Sequence, residues 1–254
     1  MKLFRKTRPV APPGFTPVTS FDPSDVFIVG YPKSGSTWFQ DLVSAIVYGV
    51  NPSYCPPQLS HELVTDVHFK EFYRRYSKPA YFKTHHLPRP EYRKVVYLLR
   101  DGRDVMVSYY HHNTNLARHS IDFMRMVRNG EGLSPSKWHE HVDSWKENPY
   151  RAEILTIKYE DLMRDAAHEM ARFCKFVGID RNASFIEQMT SLTSFGPMQA
   201  KEAKLKEYVF GEWPKDKLFR RRGQVGSYLD EMPADVLCAF ISDAGETLKE
   251  CGYL

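Results

Sequence analysis

The chain has 254 residues, 42% of them hydrophobic and 26% charged, with a formal net charge of +4. That length suits one large domain with its own core, and so mild a basicity, without a basic stripe interleaved with aromatics, argues against nucleic acid as a partner. Four widely spaced cysteines, Cys55, Cys174, Cys238 and Cys251, fit neither a metal framework nor a disulfide-stapled secreted domain, and no run approaches the ~20 apolar residues of a membrane span.

Residues 1–22 read as an irregular arm, because four prolines interrupt any periodicity there. Its Arg5, Lys6 and Arg8 read as a solvated tail, and the lack of an apolar signal-peptide core predicts a cytoplasmic, reduced protein. Residues 23–254 then read as a single domain. "DVFIVG" (25–30) is an uninterrupted apolar run of strand length, as a buried parallel strand requires. From Ser36, Trp38, Leu42, Ala45 and Ile46 share one helical face. "AYFKTH" (80–85) is a weaker strand signal and "KVVYLLR" (94–100) a strong one, with a helix following it from Asp104. Helices are predicted near 120–129 and 136–147, a strand over 153–159, and one long amphipathic helix over 160–179 with Leu162, Ala166, Met170 and Phe173 on its stripe. Strands alternating with helices predict a three-layer α/β/α domain around a central parallel sheet.

The segment "VGYPKSGSTW" (29–38) joins the first strand to its helix. A helix N-terminus after a glycine-bearing turn offers unpaired N–H groups and a partial positive charge, which suits a phosphate. Gly30 and Gly35 have the glycine spacing of a nucleotide-binding P-loop, but that loop places its lysine directly after the second glycine. Here Ser36 follows Gly35 and the lysine is Lys33. The next strong strand ends in Arg100 rather than an aspartate, a poor magnesium site and a good second phosphate site. Trp38 offers a face for a purine or simply packs in the core; spacing leaves both open.

Six segments, in order, resemble the cytosolic sulfotransferases, which use 3′-phosphoadenosine 5′-phosphosulfate (PAPS). They are "YPKSGSTW" (31–38), "FKTHHLP" (82–88), "KVVYLLRDGRDVMVSYYHH" (94–112), "KYEDL" (158–162), "TSFGPM" (193–198) and "RRRGQVGSYLD" (220–230). The resemblance implies a P-loop nucleoside-triphosphate-hydrolase-like fold and sulfuryl transfer from PAPS to a hydroxyl or amine of a small acceptor, with no metal. It implies that Lys33 holds the oxygen bridging phosphate and sulfur, and that Ser34, Gly35, Ser36 and Thr37 form the 5′-phosphate loop, with Trp38 against the adenine. Arg100 and Ser108 would bind the 3′-phosphate, Tyr159, Thr193, Phe195 and Met198 would line the adenosine pocket, and Arg221, Arg222 and Gly223 would close over the 3′-phosphate. His85 would be the general base and Lys83 would steady the transferring sulfuryl oxygens. The extra histidine makes His86 the alternative base; counting from Lys83 and Thr84 favours His85, and the strand period of two puts His86 on the opposite face.

The chain departs from the family pattern at Ser227, Tyr228 and Leu229, where the family carries an acid, a tryptophan and a lysine. It also lacks the family's subunit-pairing stretch, so the oligomeric state is left open. His111 and His112 read as solvent or packing residues, and Arg103 and Asp104 as helix-start electrostatics. Trp138, His141 and Trp145 share a face that is either core or acceptor wall. The acceptor is expected to be a phenol or alcohol with an apolar body, for which Phe69, Phe72, Tyr73, Tyr76 and Tyr81 are candidate contacts or core. A magnesium-dependent kinase or NTPase, and a silent PAPS-binding module, are the rival readings.

Overall fold

The computed structural model describes residues 10–116, 121–205, 213–214 and 217–254; Arg5, Lys6 and Arg8 lie outside them. A short ribbon pairs β1 (Thr16–Pro17) with β4 (Phe72–Tyr73). In chain order, β2 (Val26–Gly30) is followed by α1 (Ser36–Tyr48), α2 (Pro57–Leu63) and β3 (Val64–Asp66). Next come β5 (Tyr81–Thr84), β6 (Lys94–Leu99), α3 (Gly102–Leu116), α4 (Phe123–Asn129) and α5 (Trp138–Glu147). Then β7 (Glu153–Lys158) leads to α6 (Tyr159–Arg164), α7 (Ala166–Val177), α8 (Ala183–Leu192) and α9 (Phe195–Leu205). The chain closes with α10 (Tyr228–Glu231) and α11 (Ala234–Glu250).

Five strands form one wholly parallel sheet in the order β3-β5-β2-β6-β7. In the register of the central strands, Ile28 lies opposite both Lys83 and Val96. The uninterrupted apolar runs follow from burial on both faces. Phe27, Val29, Val95, Tyr97 and Leu99 point into the layer of α3, α4, α5 and α11. Their neighbours Val26, Ile28, Val96 and Leu98 point into the layer of α1, α7 and α8. The architecture is therefore three-layer α/β/α, and every loop leaving the carboxyl edge of β2, β5 and β6 opens on one side, where ligands bind in such sheets. Among the described residues no helix is long and apolar enough to cross a membrane.

Two elements differ from the sequence reading. The single helix expected over 160–179 is two, α6 and α7, because Asp165 leaves helical geometry (φ −149°, ψ 81°) and its carboxylate accepts from the His168 N–H at 2.9 Å. An aspartate in extended backbone satisfies a helix start better than it propagates one, and Leu162, Met170 and Phe173 remain buried across the break. Strand β3 has no counterpart in the sequence reading: it is three residues long with polar Thr65 and Asp66 buried, so no apolar run announces it. Trp138 and Trp145 are core residues, Trp138 packing against Phe240 with ring centroids 5.9 Å apart.

Candidate active site

The loop between β2 and α1 is built from two left-handed residues, Lys33 (φ 73°) and Gly35 (φ 88°). A side chain at Gly35 would put its Cβ 2.8 Å from the Tyr159 ring, so only glycine lets the backbone fold over that ring. No side chain caps α1 at Gly35, which leaves the first N–H groups of the helix, those of Ser36 and Thr37 among them, for an anion. Lys33 lies with Nζ 4.6 Å above the Phe219 ring. Burial first, then Arg100, Lys83 and Arg221, pull its ammonium down to about 7.

The end of β5 supplies the second cluster. Lys83 is buried and paired with Asp66 of β3 at 2.9 Å. Burial works to raise the Asp66 carboxyl, but Lys83, the His68 N–H and His85 together hold it below the usual carboxylate value. His85 Nδ1 lies 2.6 Å from the Gly30 carbonyl. A carbonyl only accepts, so Nδ1 carries the proton and Nε2 keeps its lone pair. Burial, then Lys83, pushes the His85 imidazolium down to about 3, so the ring is neutral. The backbone at His85 is fastened on both sides: its N–H donates to His68 Nε2 at 2.9 Å, and its carbonyl lies 3.2 Å from His141 Nε2. Trp145 Nε1 donates to the His86 carbonyl at 3.1 Å. The core helix α5 thus holds the strand end in place.

The third cluster lies at the end of β6. Arg100 donates to the carbonyls of Lys33 (3.0 Å) and Gln224 (3.1 Å), lies 4.2 Å over the Tyr159 ring, and keeps Nε buried without a partner. The buried Asp104 carboxylate accepts the N–H groups of Gly226 (2.8 Å) and Tyr228 (3.0 Å), which ties the segment carrying Arg221–Gly223 to α3. Glu231 accepts from Arg221 (2.5 Å), Arg222 (2.6 Å) and His111 Nε2 (2.7 Å). Gly223 (φ 59°) lies on Phe195, whose ring would be 2.2 Å from an added Cβ. Arg220 is turned inward to Asp41 (2.8 Å) and Glu202 (3.2 Å).

One cavity of about 1040 Å³ joins the three clusters, the upper end of the ~300–1,000 Å³ usual for a single ligand. It is lined by Lys33, Gly35, Ser36, Thr37, Trp38, Lys83, His85, Arg100, Ser108, Tyr159, Thr193, Phe195, Met198, Arg221, Arg222 and Gly223. Ser34, the remaining loop residue, is buried and does not reach the wall. The Thr193 hydroxyl is spent on the carbonyls of Met189 (3.0 Å) and Thr190 (3.1 Å), so it shapes the wall rather than donating to it. His86 also lines the cavity, contrary to the strand-period expectation, because β5 stops at Thr84; its Nδ1 is held 2.7 Å from the Tyr92 hydroxyl. Of the five candidate aromatics only Phe69 reaches the cavity; Tyr73 and Tyr81 are core. Sequence reasoning missed Asp66, His68, Asp104 as a loop anchor, and Glu231. Asp66 ends the three-residue β3 and His68 sits in the turn after it, so no strand pattern marked either of them.

Burial pushes His85 and His112 down to about 3 and His61, His86 and His141 down to about 4. Their folded values lie below the unfolded value near 6.5, so the unfolded chain takes up protons first as pH falls. The histidines' contribution to stability is complete above about pH 6.5 and is expected to drain away toward pH 4, which a series of calorimetric Tm values would record; a flat Tm across that window would contradict it.

Residues 23–252 match the family model for the sulfotransferase domain. Sulfotransferase 1E1 of Rattus norvegicus is 27% identical over 256 residues, spanning 90% of this chain and 85% of that one. Retinol dehydratase, solved in a complex with retinol and PAP, has a TM-score of 0.70 at 22% identity and covers 91% of this chain and 83% of its own. Mouse sulfotransferase SULT7A1, solved with PAP, has a TM-score of 0.66 at 24% identity and covers 92% and 90%. The likeness covers more than nine-tenths of this chain in both structures and gives it the P-loop nucleoside-triphosphate-hydrolase-like α/β fold. By its sequence and its fold alike, the chain belongs to the sulfotransferase domain family.

Proposed function

We propose that this enzyme moves the sulfuryl group of PAPS to a hydroxyl, or an amine, of a small acceptor with an apolar body, with His85 as the general base. The observation that carries the reading is that Lys33, Lys83 and His85 line the same cavity as Arg100, Ser108 and Arg221–Gly223. The residues fit a doubly phosphorylated nucleotide: a bare helix start, a buried guanidinium with an unused N–H, and two glycines whose places a Cβ would fill. PAPS supplies an activated sulfuryl group on its 5′-phosphate, and adenosine 3′,5′-bisphosphate (PAP) is the product that leaves.

The protein's part is charge and position. The 5′-phosphate is held by the N–H groups after Gly35 and by the Ser36 and Thr37 hydroxyls. The 3′-phosphate is held by Arg100, Ser108, Arg221 and Arg222, and the adenosine by Trp38, Tyr159, Thr193, Phe195 and Met198. His85 Nε2 takes the proton of the acceptor hydroxyl as that oxygen bonds to sulfur. The bond from sulfur to the phosphate oxygen breaks on the opposite side, where Lys33 receives the growing negative charge. Lys83, fixed by Asp66, steadies the sulfuryl oxygens between them. The apolar wall of Phe69, Tyr109, Leu116, Pro135, Trp213 and Phe219 faces the acceptor.

Transfer of labelled sulfate from PAPS to a panel of phenols, alcohols and amines tests the reading, together with calorimetry of PAP against ATP with magnesium. Tighter binding of ATP with magnesium would favour a kinase or NTPase, and PAP binding without transfer to any acceptor would favour a silent module. Glu231 gives a further check. Its carboxylate engages Arg221 and Arg222, two of the three arginines assigned to the 3′-phosphate, so nucleotide and carboxylate compete for the same N–H groups. Glu231→Gln is expected to tighten PAP binding about five- to tenfold; weaker binding by calorimetry would mean that Glu231 organises the arginines instead.

A further inference from the structure

Helix α3 turns one stripe toward the cavity along most of its length. Ser108, Tyr109, His112 and Leu116 all line it, with the three- and four-residue spacing of a single helical face. Ser108 belongs to the nucleotide end, and His112 stands one turn further on. The His112 ring stacks on Trp213 with centroids 5.3 Å apart and planes 19° apart. It meets Phe219 edge-on at 6.1 Å and 88°, the same ring over which Lys33 lies. An imidazole is thus clamped between aromatics beside the lysine of the transfer site.

Five other histidines in this region are committed. His68 takes the His85 N–H, His85 serves Gly30, and His86 pairs with Tyr92. His111 pairs with Glu231, and His141 with Tyr97 at 3.0 Å. The Tyr109 hydroxyl on the same stripe is taken by the Ser134 backbone. His112 differs: its Nδ1 is buried with no hydrogen-bond partner. Leaving such an atom unsatisfied is unfavourable, and a core packing role does not require a nitrogen there. The Trp213 stack fixes the plane of the ring but not its edge, so a half-turn about χ2 exchanges nitrogen and carbon without giving up the stack.

Burial, then the nearby Lys33, keeps the His112 ring neutral. A neutral imidazole offers one donor and one acceptor. A cationic group there would be repelled by Lys33, and a carboxylate would compete with the transferred group for it. A hydroxyl, which both donates and accepts, meets neither obstacle.

We propose that His112 is a specificity-determining residue that hydrogen-bonds a second hydroxyl of the acceptor, so that the preferred substrates are flat, apolar diols. One hydroxyl is presented to His85 for sulfation and the other is held at His112. The proposal rests on reading this cavity as the sulfotransfer site, so its test is a binding measurement that does not depend on turnover.

With PAP saturating, calorimetry compares 4,4′-dihydroxybiphenyl with 4-hydroxybiphenyl, and 2,6-dihydroxynaphthalene with 2-naphthol. The proteins compared are the wild type, His112→Phe and His112→Gln, with PAP affinity reporting that each variant is folded. The wild type is expected to prefer the diol of at least one pair about fivefold beyond the twofold statistical advantage, the worth of one net hydrogen bond. His112→Phe reduces the preference to about twofold, and His112→Gln, which keeps a donor and an acceptor, retains part of it. A wild type without diol preference, or a preference unchanged in His112→Phe, overturns the proposal. If diol preference follows His112 while no acceptor is ever sulfated, the transfer reading falls and the His112 contact stands.

Discussion

His85→Asn is expected to lower kcat by about 10²- to 10⁴-fold, the range set by loss of a positioned general base, while PAP affinity changes little. Asparagine can still offer an N–H to the Gly30 carbonyl, so the strand end keeps its anchor, but no basic nitrogen faces the cavity. Single-turnover sulfation measured beside PAP calorimetry separates the two effects, and turnover within tenfold of wild type would remove His85 from the role of base. The pH profile supplies a second readout. With the His85 imidazolium pushed down to about 3, the free enzyme should show no acid limb in kcat/KM near the usual histidine value. With Lys33 near 7, kcat/KM should instead bend downward above about pH 7, as the free enzyme loses the charge that the leaving phosphate needs.

Arg100→Ala is expected to weaken PAP by on the order of 100-fold and to leave AMP, which lacks the 3′-phosphate, much less affected. A charge-assisted hydrogen bond contributes about 1.5–3 kcal/mol, and Arg100 brings a buried Nε without a partner in addition to its two bonds to the Lys33 and Gln224 carbonyls. Those two bonds join the first loop to the segment after Gly223, so the variant also loosens the cavity. The discriminating quantity is therefore the ratio of PAP to AMP affinity by calorimetry. A ratio unchanged from wild type would place the 3′-phosphate away from Arg100.

Much of this arrangement is legible along the chain because the chemistry is local. The loop Lys33–Trp38 needs only a strand, a glycine and a helix start, all within one stretch. The apolar runs of β2 and β6 state burial on both faces, and the alternation of Phe27 and Val29 with Val26 and Ile28 between two layers follows from strand geometry alone. Where signals were short or polar the reading failed: β3 has three residues, and the break at Asp165 turned on one carboxylate. The placement of His86 failed because periodicity cannot say where a strand stops.

Other features were decided by contacts between distant segments. Lys83 and Asp66 meet because β3 and β5 pair side by side, and His85 keeps a free Nε2 because Gly30, 55 residues away, takes its other nitrogen. Glu231 on Arg221 and Arg222, Asp104 beneath Gly226, and the unpaired nitrogen of His112 depend in the same way on which surfaces face each other. Residue type and spacing determined the fold class and the ends of the loop after β2, since backbone hydrogen bonding and burial act within a few residues. Protonation states, the partners of each charge and the shape of the cavity wall were left to the tertiary structure, because desolvation and Coulomb interaction depend on distance in space.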